Sequence, residues 1–417
     1  MQRVRVVAAS VYLFACVSTT GAAQTLPAGP LELANGQVTV AADVTATFGS
    51  RDDRGTARPS YFNYTDYEHN ALRMFRVSFT GAWRPSDHLA FLTELRSEDL
   101  EHLHPYAMFV RVRPWLSRAF DVQAGRIPPV FGAYSRRSYA SDNRLIGQPL
   151  AYQYLTSLRA DALPGSADDL LRMRARGWRS SFPVGNQTPA PGVPIMSAYQ
   201  WDVGIEASLD LQHFEAAAAV TSGTLSNPRV DDDNAGKQLS ARIAWKPVIG
   251  MEIGASAARG EFLNGALRDG LSSVLRARHF PQEAFALDAE YSRDYWLLRG
   301  ELIHSRWHVP ALAQPVIDRP LDATAAFLES RYRFTPRLFA AARVDRLTFS
   351  RIQGASARFA QLGPTPWEAP VTRVELGGGV YLQRNLTVKT VVQRNWRPDA
   401  GLVHNRTFVS AQLAFWF

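Results

Sequence analysis

The stretch Asn405-Arg-Thr-Phe-Val-Ser-Ala-Gln-Leu-Ala-Phe-Trp-Phe417 decides the fold. Val409, Ala411, Leu413, Phe415 and Phe417 fall on one side of an extended chain, Ser410 and Gln412 on the other. Alternation with period two marks a strand with one apolar and one wet face. An unpaired apolar strand invites edge-to-edge association. Pairing it with the first strand of a closed barrel removes the edge. The competing placement is the buried last strand of a soluble sandwich.

Sixteen segments carry this signature: 37–48, 71–83, 89–98, 106–113, 120–127, 201–211, 213–222, 237–246, 251–259, 284–293, 295–304, 323–334, 338–348, 371–382, 386–396 and the last. Tight turns such as Arg84-Pro85-Ser86-Asp87 alternate with longer connections at roughly 49–70, 99–105, 128–199, 223–236, 261–283, 305–322, 349–370 and 397–404. Short turns on one rim and long loops on the other are the plan of a transmembrane barrel, and an even strand number brings both termini to the short-turn rim. Trp83, Tyr106, Trp115, Trp201, Trp245, Tyr295, Phe334, Tyr381 and Trp396 stand at segment ends. They are expected to form aromatic girdles at the two lipid–water boundaries. The predicted fold is all-β: a sixteen-stranded antiparallel transmembrane barrel with short periplasmic turns and long extracellular loops.

Residues 1–23 read as an export signal, with Arg3 and Arg5, an apolar run from Val6 to Val17, and Gly21-Ala22-Ala23 before the cleavage point. Cleavage there removes Cys16, the single cysteine, so the exported chain has no disulfide or thiol chemistry, while an alternative reading lipidates Cys16. Residues 24–36 then form a periplasmic lead and 37–417 the barrel. No later stretch approaches the ~20 apolar residues of a membrane helix. Positive charge is nearly all arginine, with Lys237, Lys246 and Lys389 the three lysines, and the formal net charge is +8. In an exported chain this balance points to small anions or lipopolysaccharide phosphate rather than nucleic acid.

Residues 128–199 are too long for a plain connection. Ser166-Ala-Asp-Asp169 opens a predicted helix from Ala167 to Arg176, ended by Gly177. Leu170, Leu171 and Met173 would dock it. Arg172, Arg174, Arg176 and Arg179 would be free to line a bore, with Asp168 and Asp169 beside them. The plan resembles the sixteen-stranded general and anion-selective bacterial porins. Gly125-Arg-Ile-Pro-Pro-Val-Phe-Gly132 is similar to the Gly-x-x-x-x-Pro-Phe-Gly stretch of phosphate-selective porins, with the proline one residue early and their lysine clusters absent. That resemblance implies an outer-membrane location, a third loop folded into the lumen as a constriction, and a possible homotrimer.

Inward strand positions add Arg111, Arg113, Arg242, Arg299, Arg331, Arg333, Arg343 and Arg373 to the expected pore lining. Guanidinium groups keep their charge and fit carboxylate and phosphate, so a lumen lined with them favours anions. Pairing with inward acids such as Glu290, Glu329 and Glu375 would instead brace the wall. Asp231-Asp-Asp-Asn234 lacks the spaced ligands of a Ca²⁺ loop, and the nine histidines form no metal-spaced cluster. His304-Ser305 suggests a lipid-hydrolase pair, yet neighbouring strand residues face opposite ways. The expected function is passive diffusion of small anionic or neutral solutes, without enzyme activity or cofactor. A barrel-based lipid hydrolase and a soluble secreted binding protein are the alternatives.

Overall fold

The computed structural model describes residues 29–49, 75–98, 100, 102–135, 137, 139–197, 201–231, 236–397 and 406–417. The expected signal segment with Cys16, most of the first long connection, Asp232–Asn234 and most of the last connection lie outside them.

Sixteen strands form one antiparallel sheet that closes on itself. They are β1 (Val38–Gly49), β2 (Phe75–Ser86), β3 (Leu89–Glu98), β4 (His102–Val112), β5 (Phe120–Ile127), β6 (Asp202–Asp210), β7 (Phe214–Thr221) and β8 (Gln238–Trp245). The circuit continues through β9 (Met251–Glu261), β10 (Pro281–Arg293), β11 (Trp296–Trp307), β12 (Leu321–Arg333), β13 (Leu338–Phe349), β14 (Val371–Gln383), β15 (Leu386–Trp396) and β16 (Arg406–Trp416). Each strand pairs with its sequence neighbours, and β16 returns to β1 with Asp43 opposite Trp416 and Thr47 opposite Gln412. At that seam Gln412 Nε2 donates to Thr47 Oγ1 (2.9 Å), and Asn385 Nδ2 donates to the Trp416 carbonyl (2.8 Å). Leu31–Leu33 folds back through Ala34-Asn35-Gly36, all at positive φ, and pairs with Val38–Val40, which β16 does not reach. The expected sixteen-strand barrel is the observed one.

Several strand ends differ from the expected ones, and two boundaries change the reading. β4 begins at His102 rather than at 106, so the second connection on the long-loop rim shrinks to residues 99–101 and turns at Leu100, φ 60°. The helix α1 (Ala167–Met173) stops before Arg176 because Arg174 is extended and Ala175 is left-handed, φ 64°. Its start matches: Ser166 and Asp169 form a reciprocal capping box, and Leu170 and Leu171 are buried.

Along β10 to β14 the alternation keeps its period but reverses its polarity. In the short-turn half, Glu329 and Arg331 of β12 point inward while Leu328 faces out, 63 % exposed. In the long-loop half, Leu321, Ala323, Ala325 and Phe327 point inward and are buried, while Asp322 and Thr324 face out. The inward apolar patches need apolar cover, and residues 131–196 supply it. Phe131, Tyr134, Leu150, Tyr152, Leu163 and Leu170 join Ile303, Trp307, Leu321, Phe327 and Phe349 in one buried cluster. Tyr134 stands against Tyr152 (centroids 5.0 Å) and edge-on to Phe327 (5.7 Å). Trp367, from the connection after β13, closes the cluster against Trp307 and Phe349. This long connection is therefore a packed unit inside the barrel, with its own dry core shared with the wall.

Aromatic side chains face outward at both rims among the described residues, with Phe48, Phe75 and Trp396 on the long-loop side. Trp83, Trp115, Trp245, Tyr295, Trp296 and Phe334 are exposed near the short-turn rim. Tyr106 and Tyr381, expected in a girdle, point into the lumen instead, where each meets an arginine: the Arg96 guanidinium lies 3.4 Å from the Tyr106 ring, and Arg144 Nη1 donates to Tyr381 Oη (3.2 Å).

Candidate functional site

The inward strand positions and the loop between β5 and β6 meet along a belt of charge. Loop residues 132–153 cross the bore as a strap tied to much of its circumference. Gly132 N–H donates to Ser256 Oγ of β9 (3.0 Å). Glu301 of β11 accepts from Ala133 N–H (2.9 Å) and Tyr152 Oη (2.5 Å). Arg137 bonds Glu290 of β10, and Tyr139 bonds Glu94 of β3 across the lumen. Lys389 Nζ of β15 donates to the carbonyls of Ala140 (2.7 Å) and Asn143 (2.9 Å). Backbone groups that the strap cannot pair with itself are thus satisfied by wall side chains, as burial demands.

The tightest knot is on β13 and β14. Arg343, fully buried, reaches Glu329 (3.2 Å), Asp345 (3.1 Å) and Glu375 (2.6 Å), and donates to the Gly147 carbonyl (2.6 Å). Glu375 in turn accepts from Gly147 N–H (3.0 Å), and Arg373 Nη1 donates to the Gln148 carbonyl (2.9 Å). Leu145 and Ile146 at the tip of the strap pack on Ala341 and Val391.

Gly132 shows how closely the strap fits. Its φ is +63°, and a Cβ there would collide with the Glu301 carboxylate. Gly132→Ala is expected to cost about 2 kcal/mol and to lower the heat-denaturation temperature of the detergent-solubilised barrel. An unchanged temperature would show that the strap yields at this point.

The expected pore residues separate into four settings. Arg242, Arg343 and Arg373 are bonded into the wall: Arg242 binds Asp288 (2.7 Å) and Glu252 (2.8 Å). Arg113 pairs with Asp121 (2.8 Å) at the short-turn rim, where Arg111 borders a groove of about 930 Å³ beside Arg84 and His88. The loop set lies at the long-loop side. Asp168 accepts the N–H groups of Ala355 and Ser356, Asp169 caps α1 and binds Arg172, and Arg179 is exposed. Arg172, its side chain 60 % exposed, pairs with Asp169 while Leu170 and Leu171 of α1 are buried in the dry core, as expected. Arg174 and Arg176 are half-buried nearby.

Arg299, Arg331 and Arg333 form the fourth group, together with two residues that the sequence did not single out, Arg137 and Arg144. Arg299 is bonded to Glu290 (3.0 Å). Arg331 lies within electrostatic reach of Arg144, Arg299, Arg333 and Tyr381. Among the described residues, Arg144, Arg331 and Arg333 have no carboxylate within ion-pair distance, the Nε atom of each lacks a hydrogen-bond acceptor, and the acid Asp142 lies within electrostatic reach of Arg144. Between β12 and β14 the inward positions Ala341 and Gly377 are covered by Leu145 of the strap, and the Phe339 ring lies against Gly379. Nothing in the periodicity of residues 128–199 marks Arg144; its role is set by where the strap crosses.

His304 and Ser305 stand on opposite faces, as strand geometry requires. Ser305 Oγ is inside and accepts from Gln282 Nε2 (3.0 Å), while His304 is outside, 3.0 Å from Thr324 Oγ1. No group of metal-binding spacing occurs among the described residues.

No family model matches the chain, and no curated protein matches it in sequence. Solved structures match its shape. OmpT, an outer membrane protein of Vibrio cholerae, aligns at TM-score 0.53 with 10 % identity, covering 91 % of this chain and 98 % of that one. The anion-selective porin from Comamonas acidovorans aligns at TM-score 0.52 with 12 % identity, covering 91 % and 99 %. The chain has the porin fold. A third porin-like likeness, to the outer membrane channel DcaP of Acinetobacter baumannii, has TM-score 0.51 and 9 % identity over 93 % and 99 %. At such identities only the porin fold is shared, so the charges inside this porin-like barrel must be read from its own residues.

Proposed function

We propose that the protein is an outer-membrane channel for passive diffusion of small hydrophilic solutes, with a preference for anions and no enzyme activity. The short-turn rim faces the periplasm, the long-loop rim the exterior, and residues 1–23 direct export. The observation that carries the anion preference is the cluster of guanidinium ions Arg144, Arg331 and Arg333, which have no carboxylate within ion-pair distance. In a low-dielectric cylinder such charges attract anions and repel cations. The strap at residues 132–153 sets the width of the path, and the arginines of residues 172–179 flank its outer entrance. The likeness to an anion-selective porin and to an outer membrane channel supports this reading, and OmpT has a solved trimer form, which favours a homotrimer here too.

Purified protein in planar bilayers provides the test. Small conductance steps are expected, because the strap fills much of the bore, with a reversal potential in a salt gradient of the sign set by anion flux. Cation-selective steps, or no steps from correctly folded protein, would refute the proposal.

A further inference from the structure

Arg144 stands on a stretch of the strap outside any helix or strand, so its place must be fixed by something other than a backbone ladder. Among the described residues from Arg137 to Asn143, backbone carbonyls find side-chain donors instead. Asn143 Nδ2 donates to the carbonyls of Arg137 (2.9 Å) and Tyr139 (3.0 Å). Lys389 Nζ takes those of Ala140 and Asn143, and Arg299 Nη1 donates to that of Asp142 (3.2 Å). A buried carbonyl left without a donor is costly. These side chains therefore decide the path of the turn.

Asn143 is the hub of that turn and is only 8 % exposed. Its Oδ1 accepts from Tyr134 Oη (2.5 Å), and Tyr134 is seated in the dry core against Tyr152 and Phe327. One amide thus ties a polar turn to a rigid apolar neighbour. Arg144 follows immediately. Its own bonds, to the Ser141 carbonyl (3.3 Å) and Tyr381 Oη (3.2 Å), lie at or past the long end of the usual range. The guanidinium is held chiefly by where its backbone stands. Downstream, Leu145 and Ile146 fix that backbone on Ala341 and Val391. Upstream, Asn143 and Lys389 fix it.

We propose that Asn143 is a positioning residue for anion selection, with Lys389 as its partner on the wall: together they hold the turn so that Arg144 stays with Arg331 and Arg333. The inference rests on the channel reading above. Asn143 is neutral and adds no net charge of its own, so its influence on ion choice passes through the charges it places. Interaction energy falls as the inverse of distance. A guanidinium freed to swing from about 6 Å to about 12 Å from the passing ion keeps half its influence, which turns about tenfold of preference into about threefold.

Reversal potentials of the purified full chain in a potassium chloride gradient, with single-channel conductance alongside, test this. Asn143→Ala is expected to lower the anion-to-cation permeability ratio about threefold. In an Arg144→Ser background the same change should lower it no further, because the charge being placed is gone. A merely structural loosening of the strap would instead lower the ratio by the same factor in both backgrounds. Tyr134→Phe removes only the hydroxyl that holds Asn143 Oδ1. It is expected to give a smaller fall in the same direction, and it carries the test if Asn143→Ala does not fold. An anion-selective wild type whose ratio is unmoved by these variants, or falls equally with and without Arg144, overturns this inference and leaves the channel reading standing. A wild type that selects cations, or that folds and does not conduct, overturns that reading and this inference with it.

Discussion

Arg343→Ala should release the strap and weaken the barrel together. The substitution leaves Glu329, Asp345 and Glu375 facing an empty, buried space, with the Gly147 carbonyl also unpaired. Removing one partner of a buried ion network costs about 3–5 kcal/mol, much of it from the charges left behind. A large fall in the heat-denaturation temperature is expected. In bilayers, conductance steps become larger and noisier as the tip at Leu145 and Ile146 leaves Ala341 and Val391. The variant Arg343→Met/Glu375→Gln should recover part of the loss, since it removes a stranded carboxylate as well as the cation. Wild-type stability for Arg343→Ala would mean that water reaches the knot and that the strap is held elsewhere.

The second large effect is on selectivity. At an effective dielectric of about 40 and an ion distance of about 6 Å, one guanidinium contributes about 1.4 kcal/mol to the preference for an anion, or about tenfold. Salt screening makes the three contributions less than additive. The variant Arg144→Ser/Arg331→Ser/Arg333→Ser is therefore expected to lower the anion-to-cation permeability ratio by at least about tenfold, with conductance preserved. Arg172→Ser/Arg179→Ser, at the outer entrance, should change that ratio little. Reversal potentials in a potassium chloride gradient measure both. A shift caused by the second variant but not the first would move the selective charges to the outer side of the loop.

The strands were legible because lipid on one side and water or packed loop on the other enforce a period of two, which the residues must obey wherever a strand lies. Thus β12 and β13 could be placed from their alternation alone. The start of β4 was hidden because His102 and Pro105 interrupt the pattern. What filled the bore was harder to read, although one signal was present. Asp322 and Thr324 facing out beside Leu321 and Ala323 facing in reverse the phase of Leu328 and Glu329 on the same strand. Such a reversal means that the inner surface has become the dry one. The charged inward residues were found, but not their duties: whether an arginine only braces the wall or also ties the strap depends on loop groups brought from far away in sequence, as with Arg343 and Gly147. Arg144 could not be found because a loop has no period to betray which side chains turn inward.

The shared interior has a consequence for any opening movement. Swinging the whole in-folded segment aside would expose Phe131, Tyr134, Leu150, Tyr152 and Leu170 together with their wall partners. At about 2 kcal/mol for each large side chain wetted, that excursion rivals the unfolding of a small domain and is too rare to serve transport. Residues 139–144, before the buried tip, are held mainly by hydrogen bonds, to Glu94, Lys389 and Tyr381, which water can replace in kind. Voltage or solute should therefore flicker this short polar section on its hinges while the greasy remainder stays seated, and amide exchange would show two protection classes within one loop.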